Sequence, residues 1–213
     1  ALPYFLYGYD FNSLKKIIST VTVSKISFKY ALAKFHLINL ALKGAKDPIN
    51  EFLKKFKNNS YFKNVVEDIK KVKRLKSKPH SIVVKKLGMA CSYPGTFNSS
   101  IHSIINSTNY KGAILKTIKA GGCNCSRVNF IGAYFAALKG VDNIPKSWIK
   151  KTDPAKKILS QKWNIYGKKN YMSNKVLLTG ISGWIAKHTA IELLNSGYKV
   201  LGTVRNESLI QQT

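Results

Sequence analysis

The stretch Gly121-Gly-Cys-Asn-Cys-Ser-Arg127 decides the fold of the larger part of this chain. It separates two patterns with apolar residues at helical spacing, Tyr110 to Ala120 before it and about Asn124 to Lys139 after it. Paired glycines end a helix readily, because the left-handed backbone conformation costs them little. We therefore predict a helix, a tight glycine turn that carries Cys123 and Cys125, and a long second helix.

Helical spacing continues toward the N-terminus. Tyr30 to Lys43 repeats apolar residues at helical intervals and is followed by Gly44, which suits a C-terminal cap. Asp47-Pro48 supplies a capping oxygen and then a proline at the first helical position, which predicts a helix through Phe56. The same criteria predict helices at Tyr61 to Ile69, Ser81 to Leu87 and Thr96 to Asn106, and a last helical turn at Lys146 to Ile149. We predict a mainly α fold for residues 1–150.

The character of the chain changes after residue 150. Residues 151–171 are rich in Lys, Ser, Gln, Asn and Gly, which is typical of a linker. From Met172 onward the pattern predicts a strand, a glycine turn, a helix from Trp184 to Asn195 and a second strand from Tyr198 to Val204. We therefore divide the chain into a partial all-α domain at 1–150, a linker at 151–171 and a truncated α/β segment at 172–213.

The chain is strongly basic, with 36 Lys and Arg, 9 Asp and Glu, and a net charge of +27 over 213 residues. Arg74, Arg127 and Arg205 are the three arginines, so lysines make up the other 33 of the 36. Nucleic-acid recognition usually favours the guanidinium fork, and the lysines are spread along the chain. The densest run, Lys70 to Lys78, follows a predicted helix, and we interpret it as solvated surface. Nucleic acid is therefore not a favoured partner.

The cysteines Cys91, Cys123 and Cys125 are odd in number, and no N-terminal secretory pattern accompanies them. No apolar run reaches the roughly 18 residues that a bilayer crossing needs. We expect a soluble, cytoplasmic protein without a membrane partner, and we predict that Cys91 lies in the core. The histidines show no metal-binding spacing and are assigned to packing or surface: His36, His80, His102 and His188.

From Ala90-Cys-Ser-Tyr-Pro-Gly-Thr-Phe97 to Trp148 the sequence resembles the C-terminal part of the ADP-ribosylglycohydrolase family, especially its branch of J-type crystallins and selenoprotein J. In that family a Gly-Gly-Asp-x-Asp-Thr turn opens a buried helix and supplies oxygen ligands to two magnesium ions. The matching positions here are Cys123, Cys125 and Ser126. Magnesium demands hard oxygen ligands, and the first 89 residues lack the paired aspartates that provide the others. The resemblance implies the family fold without its magnesium site.

Three interpretations of Cys123 and Cys125 remain open. They are small, partly buried thiols at a packed helix start, which we favour. They are reactive thiols, since a helix N-terminus and the nearby Arg127 would lower a cysteine pKa. Or they bind zinc or copper, although two thiols without a convergent second pair fall short of a closed site.

The turn Thr179-Gly-Ile-Ser-Gly183-Trp-Ile-Ala186 follows a predicted strand and opens a predicted helix. Gly180 permits the tight turn, Gly183 permits backbone approach to a pyrophosphate, and Ala186 permits close packing of helix on strand. The stretch resembles the extended short-chain dehydrogenase/reductase superfamily, with its epimerase/dehydratase and dihydroflavonol-reductase-like members. The resemblance implies these cofactor contacts: Gly180, Ser182, Gly183, Trp184, Ile185 and Arg205.

The second predicted strand ends in Gly202-Thr-Val-Arg205. In the branch that it resembles, an arginine at this place contacts the 2′-phosphate, which implies weak binding of NADP rather than NAD. The catalytic Tyr-x-x-x-Lys of the superfamily lies farther downstream and has no match here. We assign no catalytic residue.

We predict a composite or truncated protein without a complete catalytic site in either part. One alternative is a weak NADP(H)-binding module, whose partner is a dinucleotide. The other is a hydrolase-like enzyme that uses thiol or altered-metal chemistry at Cys123 and Cys125.

Overall fold

The computed structural model of the protein describes residues 11–155, 175–179, 184–195 and 198–203. The chain forms two compact units, Ser24–Lys162 and a second that combines Ala1–Val23 with Trp163–Thr213. The described residues are mainly helical, as the sequence predicts. The predicted domain limits near residues 150 and 172 stay predictions, since residues 156–174 lie outside the described ranges.

Helix α1 (Phe11–Ser19) belongs to the second unit. The helices of the first unit, which we call the helical unit, follow in chain order with a short 3₁₀ turn at Val141–Asn143 before the last one. They are α2 (Lys25–Leu42), α3 (Pro48–Lys55), α4 (Lys63–Arg74), α5 (His80–Leu87), α6 (Gly95–Ile105), α7 (Tyr110–Lys119), α8 (Asn124–Lys139) and α9 (Lys146–Lys150).

Local chemistry sets several of these helix ends. Asp47 caps α3, and its Oδ1 accepts a hydrogen bond from the amide of Asn50 at 2.9 Å. Asn109 caps α7 in the same way, with Oδ1 at 2.8 Å from the amide nitrogen of Gly112. Gly44, just after α2, takes a φ of +83°. These ends lie where the sequence predicts them.

Helix α4 is longer than predicted. It continues through Arg74, so Lys70 to Arg74 form its last turns and do not follow the helix. Its buried face is made of Val65, Val66, Ile69 and Val72. Cations in the last turn also interact favourably with the helix dipole, which explains why a lysine run does not end this helix.

Helix α6 lies at the centre of the helical unit, in contact with α4, α5, α7 and α8. Every residue from Gly95 to Ile104 is buried, although more than half of them are polar. Hydrogen bonds satisfy part of this polarity: the Ser100 hydroxyl donates to the Thr96 carbonyl at 2.8 Å, and the Thr117 hydroxyl donates to Ser103 Oγ at 2.9 Å. Small polar side chains on α6 let the surrounding helices approach closely.

Aromatic side chains fill the space around α3. Phe52 is fully buried, and the ring centroids of Phe56 and Phe62 lie 4.7 and 5.6 Å from its own. The ring of His36, on α2, packs against the same group at 4.9 Å from Phe56. Close aromatic pairs add to the stability that burial alone provides.

The second unit contains strand β1 (Lys175–Thr179), helix α10 (Trp184–Asn195) and strand β2 (Lys199–Thr203). The strands pair in parallel, with a register from Lys175 opposite Lys199 to Thr179 opposite Thr203. Helix α10 packs against both strands. A parallel pair needs a crossover connection, and α10 lies in it. The predicted turn residues Gly180, Ser182, Gly183 and Arg205 lie outside the described residues.

Among the described helices, none combines the length and apolar character that crossing a membrane requires.

Candidate functional site

The candidate site lies at the glycine turn before α8. Gly121 and Gly122 both take a φ of +75°. A Cβ atom on Gly122 would lie 2.5 Å from the carbonyl oxygen of Met89 and 2.8 Å from its Cβ, which leaves no room for a side chain. The amide of Cys123 donates to the same Met89 carbonyl at 2.7 Å. The turn therefore holds the segment after α5 against the start of α8.

This approach brings together two thiols that are 32 residues apart. Cys123 is the residue before α8, and its Sγ lies 2.8 Å from Cys91 Sγ and 3.2 Å from Ser126 Oγ. Both cysteines are free; Cys91 is exposed and Cys123 is partly exposed. We call Cys91 and Cys123 the thiol pair.

The prediction that Cys91 lies in the core is wrong. Helix α5 ends at Leu87 and is capped by Gly88, where φ is +116°. The chain then runs along the surface through Met89 and Cys91. Apolar neighbours suggested burial, but the helix end and the contact with the glycine turn place this segment outside the core. A weak signal in the sequence was the glycine at each of the two approaching segments.

Cys125 does not join the thiol pair. It is exposed, so the favoured interpretation of a partly buried thiol is wrong for this residue. Residues i and i+2 of a helix point to different faces, whereas residues three apart share one. Ser126 accordingly contacts Cys123, and Cys125 does not take part in that contact.

The surroundings of Cys123 lower its pKa to about 7. The hydrogen bond from the Cys91 thiol is the largest cause, followed by the hydroxyl and amide of Ser126, and the charge of Arg127 adds to them. The pKa of Cys91 rises instead, because its thiol donates to Cys123 and faces its charge. Proton loss therefore favours Cys123, and Cys91 keeps its proton.

Arg127 is 1% exposed and lies in the first turn of α8. Its Nη2 donates to the carbonyl of Gly121 and, at 3.0 Å, to Oδ1 of Asn124. Its Nε and Nη1 have no hydrogen-bond partner within the described ranges. Burial lowers the pKa of this guanidinium, and the Cys123 sulfur opposes that shift. A buried cation thus lies behind the glycine turn.

The residues at this turn do not fit magnesium. The matching positions hold two thiols and a hydroxyl, Cys123, Cys125 and Ser126, where hard anionic oxygens are required. The described residues contain no group of three or more His, Cys, Asp or Glu side chains that could hold a metal ion. The guanidinium of Arg127 would also repel a cation. The zinc or copper alternative likewise finds no closed ligand set among the described residues.

Two histidines lie in the core near Arg127. His80 Nδ1 and His102 Nδ1 are 3.0 Å apart, and their rings are stacked with centroids 5.2 Å apart. The pKa of His80 is lowered to about 4, mainly by burial, with smaller contributions from the charges of His102, Arg127 and Lys116. Both histidines are buried and their rings pack against each other in the core.

A separate cleft of about 410 Å³ lies elsewhere in the helical unit. Its lining includes four lysines and does not include the thiol pair. The Nζ of Lys73, one of these lysines, donates to Asn50 Oδ1 at 2.6 Å. The lining of the cleft is therefore basic, and at least one of its lysines already makes a hydrogen bond within the protein.

Residues 18–172 match the ADP-ribosylglycohydrolase family model. Two curated relatives from Tripedalia cystophora match over 76 residues: crystallin J1A at 37% identity and crystallin J1B at 32%. The matched part is 36% of this chain and 24% of each relative, so the chain spans about a quarter of their length. No solved structure matches. These findings confirm the first of the two predicted resemblances.

Proposed function

The chain belongs to the ADP-ribosylglycohydrolase family, and we propose that it is a structural member without magnesium-dependent hydrolase activity. The observation that carries this proposal is the donor set at the start of α8, where thiols and a hydroxyl stand beside a buried guanidinium. The matched relatives are named crystallins, which supports a structural role.

The chemistry supports the absence of hydrolysis. In the family that the chain resembles, two magnesium ions act at this turn. Thiol and hydroxyl groups are poor ligands for a small, hard, octahedral cation. The net positive charge of Arg127, buried close by, makes cation binding less favourable still. The well-packed core around α6 does not depend on these ligands, so folding is compatible with their loss.

The test combines a binding and an activity measurement on the intact chain. We expect the unfolding temperature to be the same with millimolar magnesium and with EDTA, and no release of ADP-ribose from an ADP-ribosylated peptide above the protein-free rate. A Cys123→Ala variant should behave identically in both assays. ADP-ribose release that EDTA abolishes would overturn the proposal.

A second candidate function is weak NADP(H) binding by the second unit. The pairing of β1 and β2 in parallel, with α10 between them in the chain, supports it. In dinucleotide-binding folds this arrangement directs the N-terminus of the helix toward the pyrophosphate of the cofactor. We propose that the residues before α10 meet the pyrophosphate and that Arg205 meets the 2′-phosphate. Helix α10 begins at Trp184 and Ile185, and we propose that both contribute to the cofactor contact.

Fluorescence titration with NADPH tests this candidate. We expect a saturable change that Arg205→Glu abolishes, since the substitution replaces an attractive charge with a repulsive one. Arg74→Glu, in α4, is the matched control: it makes the same charge change in the helical unit and should leave the titration unchanged. A signal that never saturates, or an equal loss in both variants, would rule the candidate out.

We also propose that both parts belong to one composite polypeptide. A tryptic peptide from source cells that joins residues before and after Met172 would support it. Separate products that each extend beyond this position with different sequences would refute it.

A further inference from the structure

We propose that the thiol pair is a site of thiol–disulfide exchange that takes small disulfides as its substrate class. Cys123 is the attacking residue and Cys91 the resolving residue. This goes beyond the structural role proposed above and does not depend on it.

The geometry carries the proposal. The two sulfurs lie 2.8 Å apart, so a bond between them requires an approach of less than about 1 Å. The hydrogen bond from the Cys123 amide to the Met89 carbonyl, at 2.7 Å, holds the two backbones together close to the sulfurs. Cys91 is exposed and Cys123 is partly exposed, so a small disulfide can reach them. Proximity and access are both needed for exchange.

The neighbours of the thiol pair favour the charged form of one sulfur. Cys123 precedes α8, and the positive end of the helix dipole stabilises an anion there. Ser126 lies 3.2 Å from its sulfur. Arg127 is a buried cation with two nitrogens that lack a described partner, and its charge acts on Cys123. The pKa of Cys123, about 7, agrees with this arrangement.

The reaction has two steps. The Cys123 thiolate attacks one sulfur of the small disulfide, a protein–S–S–R bond forms, and the other half leaves as a thiolate with the electron pair. Cys91 then gives its proton to this thiolate and attacks the Cys123 sulfur, which expels the second half as a thiolate. The protein loses two electrons and the one proton of Cys91, and the small disulfide becomes one thiol and one thiolate. That thiolate takes up from solvent a proton equivalent to the one that Cys123 released when it ionised.

Cys125 is a control within the same chain. It lies two residues from Cys123 and is exposed, yet it has neither the Cys91 contact nor the Ser126 contact. A reaction governed by exposure alone would modify the exposed Cys91 and Cys125 more readily than the partly exposed Cys123. A reaction governed by the geometry would begin at Cys123 and end in one defined bond.

The experiment treats the intact chain with oxidised glutathione, quenches it with acid and maps the peptides by mass spectrometry. We expect a Cys91–Cys123 cross-linked peptide and unmodified Cys125. Cys91→Ser should stop at a glutathione adduct on Cys123, since the resolving thiol is absent. Cys125→Ser should react like the unchanged protein. Far-UV circular dichroism checks that each variant is folded.

A rate measurement provides an independent readout. At neutral pH we expect iodoacetamide to alkylate Cys123 about 3-fold faster than Cys125, because the thiolate is the nucleophile and its lower basicity offsets part of the gain. Ser126→Ala should reduce this difference. Equal rates at the two residues, or glutathione adducts on Cys125 without the cross-link, would overturn the proposal.

Discussion

The helical unit and the strand–helix–strand segment follow the same local rules but differ in what they bury. The helical unit encloses Phe52, Phe97 and Ile101 without any exposure. In β1, α10 and β2, Ala190 and Leu193 are the buried residues that the structure describes, whereas Leu201 is 57% exposed. Correct local patterns and a sufficient core are therefore separate properties of a chain.

The physical reason is the number of elements around each apolar face. At least four of the described helices contact α6, so even its polar residues are buried. In the segment, the described residues provide two parallel strands and one helix that packs against both, and a two-stranded sheet is marginal by itself. Stability in the helical unit should therefore respond strongly to core changes, and stability in the segment should respond weakly.

The largest expected difference comes from truncating one side chain in each region. Phe52→Ala should lower the free energy of unfolding by about 3–5 kcal/mol, since it empties the aromatic cluster around α3. Leu201→Ala removes a largely exposed side chain and should change it by about 0.5 kcal/mol or less. Urea denaturation followed by circular dichroism measures both. Similar losses in the two variants would contradict the comparison.

A backbone change at the glycine turn should have the next largest effect. Gly122→Ala combines a positive φ with an overlap on Met89, and we expect a loss of about 2–3 kcal/mol. Gly44→Ala is the matched control, because its φ is also positive but nothing lies within 4 Å of the added Cβ. We expect about 1 kcal/mol there. Comparing the thermal unfolding of the two variants separates the cost of the positive φ from the cost of the overlap with Met89.

Acidification should weaken the helical unit. Burial lowers the pKa of His36 and of His80 to about 4 and lowers that of His102 below its usual value. The folded state then binds fewer protons than the unfolded state, so the stabilisation is complete above about pH 6.5 and is lost as the pH falls toward 4. Allowing for solvent screening, we expect a total loss of about 1–2 kcal/mol.

A pH series of unfolding curves measures this loss. His80→Gln should make the dependence shallower. A series that shows no change between neutral pH and pH 4 would contradict the burial of these imidazoles.

The smallest expected effect concerns a helix cap. Asn109→Ala removes the acceptor for the Gly112 amide and should cost about 1 kcal/mol, whereas Asn109→Asp keeps an acceptor and should cost less. The thermal unfolding midpoint measures both. A larger loss in the Asp variant would show that the cap is not what this residue provides.

Helix limits were the most predictable part of the fold. The Asp47-Pro48 start, the Gly44 end and the Gly121-Gly122 turn all lie where the sequence predicts them, because capping and glycine conformations depend on a few neighbouring residues. The extension of α4 through Arg74 was missed, since a lysine run suggests solvent more strongly than it suggests helix. For the candidate site, the sequence identified Cys123 and Ser126 but not the partner of Cys123.

The sequence by itself determined the mainly helical character and the donor set of two thiols and a hydroxyl at the start of α8. Tertiary structure alone decided that Cys91 is exposed and touches Cys123, and that the polar helix α6 is buried. The physical reason is how far apart along the chain the interacting residues lie. Caps, turns and donor chemistry depend on adjacent residues, whereas burial and the contact between Cys91 and Cys123 depend on how separate helices pack.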